Sequence, residues 1–186
     1  MTHTYLAGDA EERARRVELI LMDVDGVMTD GQILIMPDAR GVTHEYKMFN
    51  TRDGFGLSIA RRAGLRLGIL SGRVSDSVST RAAELGMEIV EQGSLDKLAT
   101  YHKIRAHTRF DDVQIAFMGD DVQDLPVLRH TGFAVAVADA HPDVKSACQL
   151  VTTAEGGHGA VREALEFILR AQGKWGHAMA PYLQQG

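Results

Sequence analysis

The sequence predicts an α/β fold: a Rossmann-like, doubly wound, mainly parallel sheet with helices on both faces, a projecting β-hairpin and no large cap domain. Three observations predict it. Four runs, at 17–22, 65–70, 113–118 and 133–137, are nearly continuous in apolar residues, as strands covered on both faces must be. The segments between them repeat apolar residues at helical spacing. Acidic residues gather just beyond the ends of the first and third runs, where an open parallel sheet binds its ligands.

Taken in order, residues 1–16 are polar, with Asp9, Glu11 and Glu12, and lack the apolar region of a signal peptide; they read as a partly ordered leader. The run 17–22 is the first strand. Segments 32–36 and 43–49 flank Pro37-Asp38-Ala39-Arg40-Gly41 and read as a β-hairpin over about residues 32–49, projecting near the first strand's carboxyl end. Its Met36, Met48 and Phe49 suit either an interface or packing against their own sheet. Phe55, Leu57, Ile59, Ala60 and Ala63 mark a helix before the strand 65–70. Val78, Ala82 and Leu85 mark the next helix, with Gly86 as its C-cap. Leu95, Leu98, Tyr101, His102 and Ile104 continue the alternation, and Val161, Leu165, Ile168 and Leu169 form the stripe of a last helix. Periodicity fades after Gly173, so 174–186 reads as a mobile tail and 17–173 as one domain.

Composition excludes several classes. The chain has 186 residues, 45% hydrophobic and 24% charged, with a formal net charge of −5. That is ordinary globular composition, and its scattered, outnumbered basic residues give no nucleic-acid footprint. No apolar run nears the ~20 residues of a membrane span. The one cysteine, Cys148, rules out a disulfide within the chain and fits a reducing cytoplasm. It reads as a small apolar residue rather than a nucleophile, having no base beside it in sequence.

The chemistry lies at the strand ends. The first strand runs into Asp23-Val24-Asp25-Gly26 and the third into Gly119-Asp120-Asp121-Val122-Gln123-Asp124. Bringing Asp23, Asp25 and Asp120 together repels like charges unless a hard cation joins them, and Mg²⁺ is the usual partner of carboxylates plus phosphate. The second strand ends at Ser71-Gly72-Arg73, and Lys97 opens a later helix. A hydroxyl, a backbone-rich turn and an ammonium therefore converge on the same edge, and all donate well to phosphate. Each motif alone is often a solvated turn; four in order, each at a strand end or helix start, point to a site for a phosphorylated small molecule.

These residues resemble the haloacid dehalogenase-like phosphatase superfamily. Asp23-Val24-Asp25-Gly26-Val27-Met28-Thr29 resembles its first motif, Ser71 the second, Lys97 the third and Gly119–Asp124 the fourth. The likeness extends to the 3-deoxy-D-manno-octulosonate 8-phosphate phosphatase family through 49–56, Gln92-Gly93, 136–142, 156–163 and 171–174. It implies that Asp23 attacks phosphorus to form an aspartyl phosphate and that Asp25 is the acid and base. It implies Mg²⁺ on Asp23, the Asp25 backbone carbonyl and Asp120, with Asp121 and Asp124 orienting ligands and water. Ser71, Gly72 and Lys97 would bind the phosphoryl group, and Asn50, Thr51, Arg52, Asp53, Gly54, Arg73 and Arg81 the sugar. An exposed helix arginine is an equal reading of Arg81. The resemblance further implies a cytoplasmic homotetramer, whose neighbouring subunits close a site that has no cap, in lipopolysaccharide core sugar biosynthesis.

His158 and Ser58 depart from the family pattern, and His44 and His102 read as solvated. One alternative keeps the chemistry with a nonulosonate 9-phosphate substrate, against which the basic Arg73 speaks. Another is a non-catalytic scaffold of this fold, against which the retention of Asp23, Asp25, Lys97 and Asp120 speaks. A phosphorelay receiver has no use for Asp25 as acid and base.

Overall fold

The computed structural model describes residues 7–183. In chain order the elements are α1 (Ala7–Arg15), β1 (Leu19–Met22), β2 (Leu34–Pro37), β3 (Thr43–Tyr46), α2 (Thr51–Arg62), β4 (Arg66–Leu70), α3 (Asp76–Leu85), β5 (Ile89–Glu91), α4 (Lys97–Thr108) and β6 (Ile115–Gly119). They continue with α5 (Leu125–Leu128), β7 (Phe133–Ala136), α6 (Pro142–Ala147), β8 (Leu150–Val151), α7 (Ala160–Ala171) and α8 (Trp175–Leu183).

Six strands pair in the order β5-β4-β1-β6-β7-β8, every pairing parallel. The continuous apolar runs follow from this: β1, β6 and β7 are buried at every residue, so both faces must be apolar. α2 and α1 pack against α7, while α4, α5 and α6 form a second group; right-handed crossovers put the two groups on opposite faces. From β1 the chain moves out to β4 and β5, then returns to β6 on β1's other side. The crevice at the carboxyl end of β1 is thus the switch point where such sheets bind ligands. Register sharpens this: Met22 lies level with Ile69 and with Met118, so the loops after β1, β4 and β6 leave the sheet together.

Local rules explain the helix ends that frame the site. Asn50 accepts from Arg52 N–H at the start of α2, and Asp96 accepts from Ala99 N–H at the start of α4. Gly86 closes α3 at φ 65°, the predicted left-handed cap.

Other segments hold structure that the sequence pattern did not spell out. Within the expected leader, residues 1–6 lie outside the described part, but Ala7–Arg15 is a helix with Ala10 and Ala14 buried. Within the expected tail, residues 184–186 lie outside it, but Trp175–Leu183 is a helix. Tyr182 holds α8 on α2 by an edge-on contact to Phe55 (5.3 Å) and by accepting from Arg62 Nη2 (2.5 Å). α8 buries no residue fully, so it left no apolar stripe to read. β5, β8, α5 and α6 are too short for a periodic signal. The hairpin β2–β3 forms a separate antiparallel pair, shorter than 32–49. Its turn is tied by Asp38, whose carboxylate accepts from Arg40 and Val42 N–H. Met36 and Met48 are exposed, Met48 at 69%, whereas Phe49 packs against the core.

Candidate active site

Asp23 continues the sheet one residue past β1, its N–H donating to Met118 O at 2.9 Å. Val24 N–H donates to Asp23 Oδ1 at 2.7 Å, and Val24 O accepts from the N–H groups of Val27, Met28 and Thr29. The chain therefore turns at once above the strand end. Gly26 makes the turn possible twice over. Its φ is +82°, and a Cβ there would run into the Asp120 carboxylate arriving from β6.

Three carboxylates and one ammonium meet in this turn. Lys97 Nζ, carried by the first residue of α4, donates to Asp23 Oδ2 and Asp124 Oδ1, each at 2.7 Å. Asp124 Oδ2 accepts from Asp120 N–H at 3.1 Å, so both Asp124 oxygens are engaged. Asp120 Oδ1 is buried and has no hydrogen-bond partner among the described residues. Burial, with Asp124 next, pushes Asp23 up to about 6 although Lys97 pulls it back. Burial, with the Asp124 and Asp23 charges, pushes Asp120 up to about 7. Burial disfavours the Lys97 charge, but Asp23 and Asp124 outweigh it and hold the ammonium above its ordinary range. With all three carboxylates ionised, one lysine leaves two negative charges uncompensated. Oxygen atoms of Asp23, Asp120 and Asp124 lie within 4.8 Å of one another. An all-oxygen donor set, a missing charge of two and an orphaned buried oxygen fit Mg²⁺.

A cleft of about 360 Å³ opens beside this cluster, lined by Asp23, Asp25, Ser71, Gly72, Arg73 and Lys97 together with Ser94, Leu95 and Gln123. Ser71 is buried, and its Oγ accepts from Arg73 N–H at 3.3 Å, the start of a tight turn after β4. The Asp25 side chain lines the same cleft as Asp23 but stands outside the cluster of Asp23, Asp120 and Asp124. It pairs with Lys47, and Arg73 Nε stands 3.8 Å from its Oδ2. Arg73 also pairs with Glu45.

The structure divides the expected site residues into two groups. Asp23, Asp25, Ser71, Gly72, Arg73, Lys97 and Asp120 come together at the ends of β1, β4 and β6. Asn50, Thr51, Arg52, Asp53 and Gly54 open α2 outside that cleft. Asn50 Nδ2 donates to Gly157 O at 3.0 Å, and Asp53 accepts from Gly159 N–H at 3.2 Å and Arg162 N–H at 2.7 Å. Burial raises the Asp53 pKa, and those N–H groups oppose it. Thr51 and Arg52 are exposed. Arg81 lies over Gly54, where a Cβ would strike its guanidinium, and pairs with Glu84 at 3.0 Å. Asp121 is exposed, and its carboxylate accepts from its own neighbour, Val122 N–H. Sequence reasoning missed Lys47 and Glu45. Residues two apart in a strand share a face, so Glu45 and Lys47 point one way, but that alternation does not say what the face meets.

The family model for haloacid dehalogenase-like hydrolases matches residues 67–165. A 3-deoxy-D-manno-octulosonate 8-phosphate phosphatase of Yersinia pestis is 41% identical over 169 residues, covering 91% of this chain and 88% of that protein. The crystal structure of a probable YrbI family phosphatase from Pseudomonas syringae superposes with a TM-score of 0.90 at 40% identity, covering 96% of this chain and 99% of the other. A 3-deoxy-D-manno-octulosonate 8-phosphate phosphatase from Moraxella catarrhalis, solved with magnesium, phosphate and the sugar acid, superposes with a TM-score of 0.88 at 35% identity, covering 94% and 98%.

Proposed function

The chain belongs to the 3-deoxy-D-manno-octulosonate 8-phosphate phosphatase family of the haloacid dehalogenase-like hydrolases, and from that premise we propose that it hydrolyses this sugar phosphate to 3-deoxy-D-manno-octulosonate and phosphate. The observation that carries the substrate is the 41% identity to such an enzyme along nearly the full length of both chains. It favours the eight-carbon acid over the nine-carbon alternative. The reaction would serve lipopolysaccharide core sugar synthesis.

Within this reading each residue has a part. Asp23 attacks phosphorus with the oxygen it turns to the cleft, forming an aspartyl phosphate as the ester P–O bond breaks. Asp25 gives its proton to the departing sugar oxygen, then takes one from the water that splits the aspartyl phosphate. Lys97 Nζ, already on Asp23, and Ser71 Oγ bind the phosphoryl oxygens. Asp23, Asp120 and the Asp25 backbone carbonyl would hold Mg²⁺, which neutralises the clustered charge and polarises the phosphoryl group. Asp124 fixes Lys97 and the Asp120 backbone. Arg73 takes the substrate carboxylate. Arg52, Thr51 and Arg81 meet the sugar, and Asn50, Asp53 and Gly54 hold that wall in place.

The assembly is part of the same reading. Leu34 and Met36 share one face of the hairpin with Tyr46, all three are exposed, and Met48 beyond β3 is exposed as well. Such a surface supports a homotetramer in which neighbours cover an uncapped cleft. No helix among the described residues is long and apolar enough to cross a membrane. With the single cysteine, this supports a cytoplasmic enzyme.

A panel of sugar phosphates assayed with Mg²⁺ and with EDTA tests the proposal. We expect metal-dependent release of phosphate, fastest from 3-deoxy-D-manno-octulosonate 8-phosphate. A tenfold preference for another sugar phosphate would overturn the substrate, and no metal-dependent turnover of any ester would overturn the reaction class.

A further inference from the structure

Two buried lysines serve the two aspartates of the first motif, and only one was expected. Lys97 holds Asp23. Lys47, at the hairpin's return to the body of the molecule, pairs with Asp25 Oδ1 and lies 2.9 Å from Glu45 Oε1. Its side chain is 1% exposed. Asp25 and Glu45 both pair with this ammonium, so the contact holds Lys47 and Asp25 against each other. Glu45 is anchored on its other oxygen by Arg73. Of the two Asp25 oxygens, Oδ1 is therefore tied down, and Oδ2 is left on the Arg73 side, toward the cleft.

We propose that Lys47 is the positioning residue for Asp25: it occupies Oδ1, so that Oδ2 alone carries the proton to and from the reacting oxygens. This rests on the phosphatase reading above. In the first half-reaction Asp23 Oδ bonds to phosphorus, the ester P–O bond breaks, and the Asp25 Oδ2 proton goes to the departing alkoxide. In the second, a water oxygen bonds to phosphorus, the Asp23–phosphorus bond breaks, and Oδ2 takes the water's proton. Both halves need the same oxygen presented to the same place. Lys47 touches neither phosphate nor sugar in this scheme, and it acts through Asp25.

The test uses a series of aryl and alkyl phosphates of graded leaving-group pKa, none with a carboxylate, on purified full-length enzyme with saturating Mg²⁺. An acid matters most when the leaving group is poor. Lys47→Met should lower kcat/KM on alkyl esters by about 10–100-fold, a part of the total general-acid contribution, and on 4-nitrophenyl phosphate by less than about threefold. Its kcat on 4-nitrophenyl phosphate should still fall, because splitting the aspartyl phosphate needs Asp25 as base, and KM should fall with it. Lys47→Arg should restore the wild-type slope in part. An equal loss of kcat/KM across the series would show that Lys47 binds phosphate or serves the fold, and would overturn the proposal. So would collapse of the fold in both Lys47→Met and Lys47→Gln, judged by circular dichroism. A wild-type enzyme inert toward the whole series would instead sink the reaction class, a result distinguishable from either.

Discussion

Substituting Asp23 by asparagine keeps the side chain's shape and its bond from Val24 N–H but removes the nucleophilic oxygen. Asp23→Asn should therefore fold with an unchanged circular dichroism spectrum and show no phosphate release, and Asp25→Asn should be nearly as inactive. A purified Asp23→Asn protein turning over near the wild-type rate would refute the mechanism. Arg73 calls for a different measurement. It is half exposed, pairs with Glu45 and stands over Asp25, so its guanidinium is available only by exchange with Glu45. Losing a charge-assisted bond to the substrate carboxylate costs about 1.5–3 kcal/mol, roughly ten- to a hundredfold in kcat/KM. Arg73→Ala should show that loss on 3-deoxy-D-manno-octulosonate 8-phosphate and little on 4-nitrophenyl phosphate. Equal losses on both would return Arg73 to the phosphate or the fold.

At the scale of elements, the first turn of α2 works as a clasp. Asn50 and Asp53 reach the loop before α7, whose Gly157 N–H in turn donates to Val27 O of the nucleophile turn at 3.0 Å. Asp53→Ala leaves two N–H groups at a helix start without their acceptor, a cost of about 1–3 kcal/mol. The thermal midpoint should drop by about 2–4 °C per kcal/mol, with faster amide exchange around residues 156–162. A variant with the wild-type midpoint and only a raised KM would make Asp53 a direct sugar ligand instead. The hairpin is the other element with a separable role. Met36→Glu charges the exposed face of the hairpin opposite the one that carries Glu45 and Lys47, since Met36 pairs with His44 while Glu45 pairs with Ile35, and it should reduce the solution mass to that of a smaller species. An unchanged mass by light scattering would place the interface elsewhere; a fully active monomer would remove the need for neighbours.

For the molecule as a whole, the carboxylate cluster links stability to pH and metal. Asp23 near 6 and Asp120 near 7 both lie above the ordinary carboxylate value of 3.8 in the folded chain. The folded state therefore holds their protons more tightly than the unfolded state. Their stabilising contribution is complete below about pH 4 and is lost as pH rises through about 6 and 7. In EDTA, Asp120→Asn should gain stability over the wild type between pH 5 and pH 8, by on the order of 1–3 kcal/mol after solvent screening. At pH 8 Mg²⁺ should raise the wild-type midpoint and leave Asp120→Asn nearly unmoved. A mutant-to-wild-type difference that ignores pH would show that the cluster is not strained.

The sequence by itself determined the sheet and the reaction. Strands buried on both faces cannot be other than continuously apolar, and acidic, hydroxyl and lysine motifs at their ends sit at fixed places in a parallel sheet, so 17–22, 65–70, 113–118 and 133–137 and the loops beyond them could be read directly. Lys97 and Asp124 were legible for the same reason. Only the tertiary structure decided which groups face which. Lys47 and Glu45 come from a strand outside the main sheet, and no local period carries the fact that a hairpin folds back onto Asp25. The resemblance pointed to Asn50 and Asp53 for the sugar, but it gave no sign of the backbone groups they meet within the chain. Their partners, Gly157, Gly159 and Arg162, stand more than a hundred residues away, and only chain closure across the molecule brings them into contact.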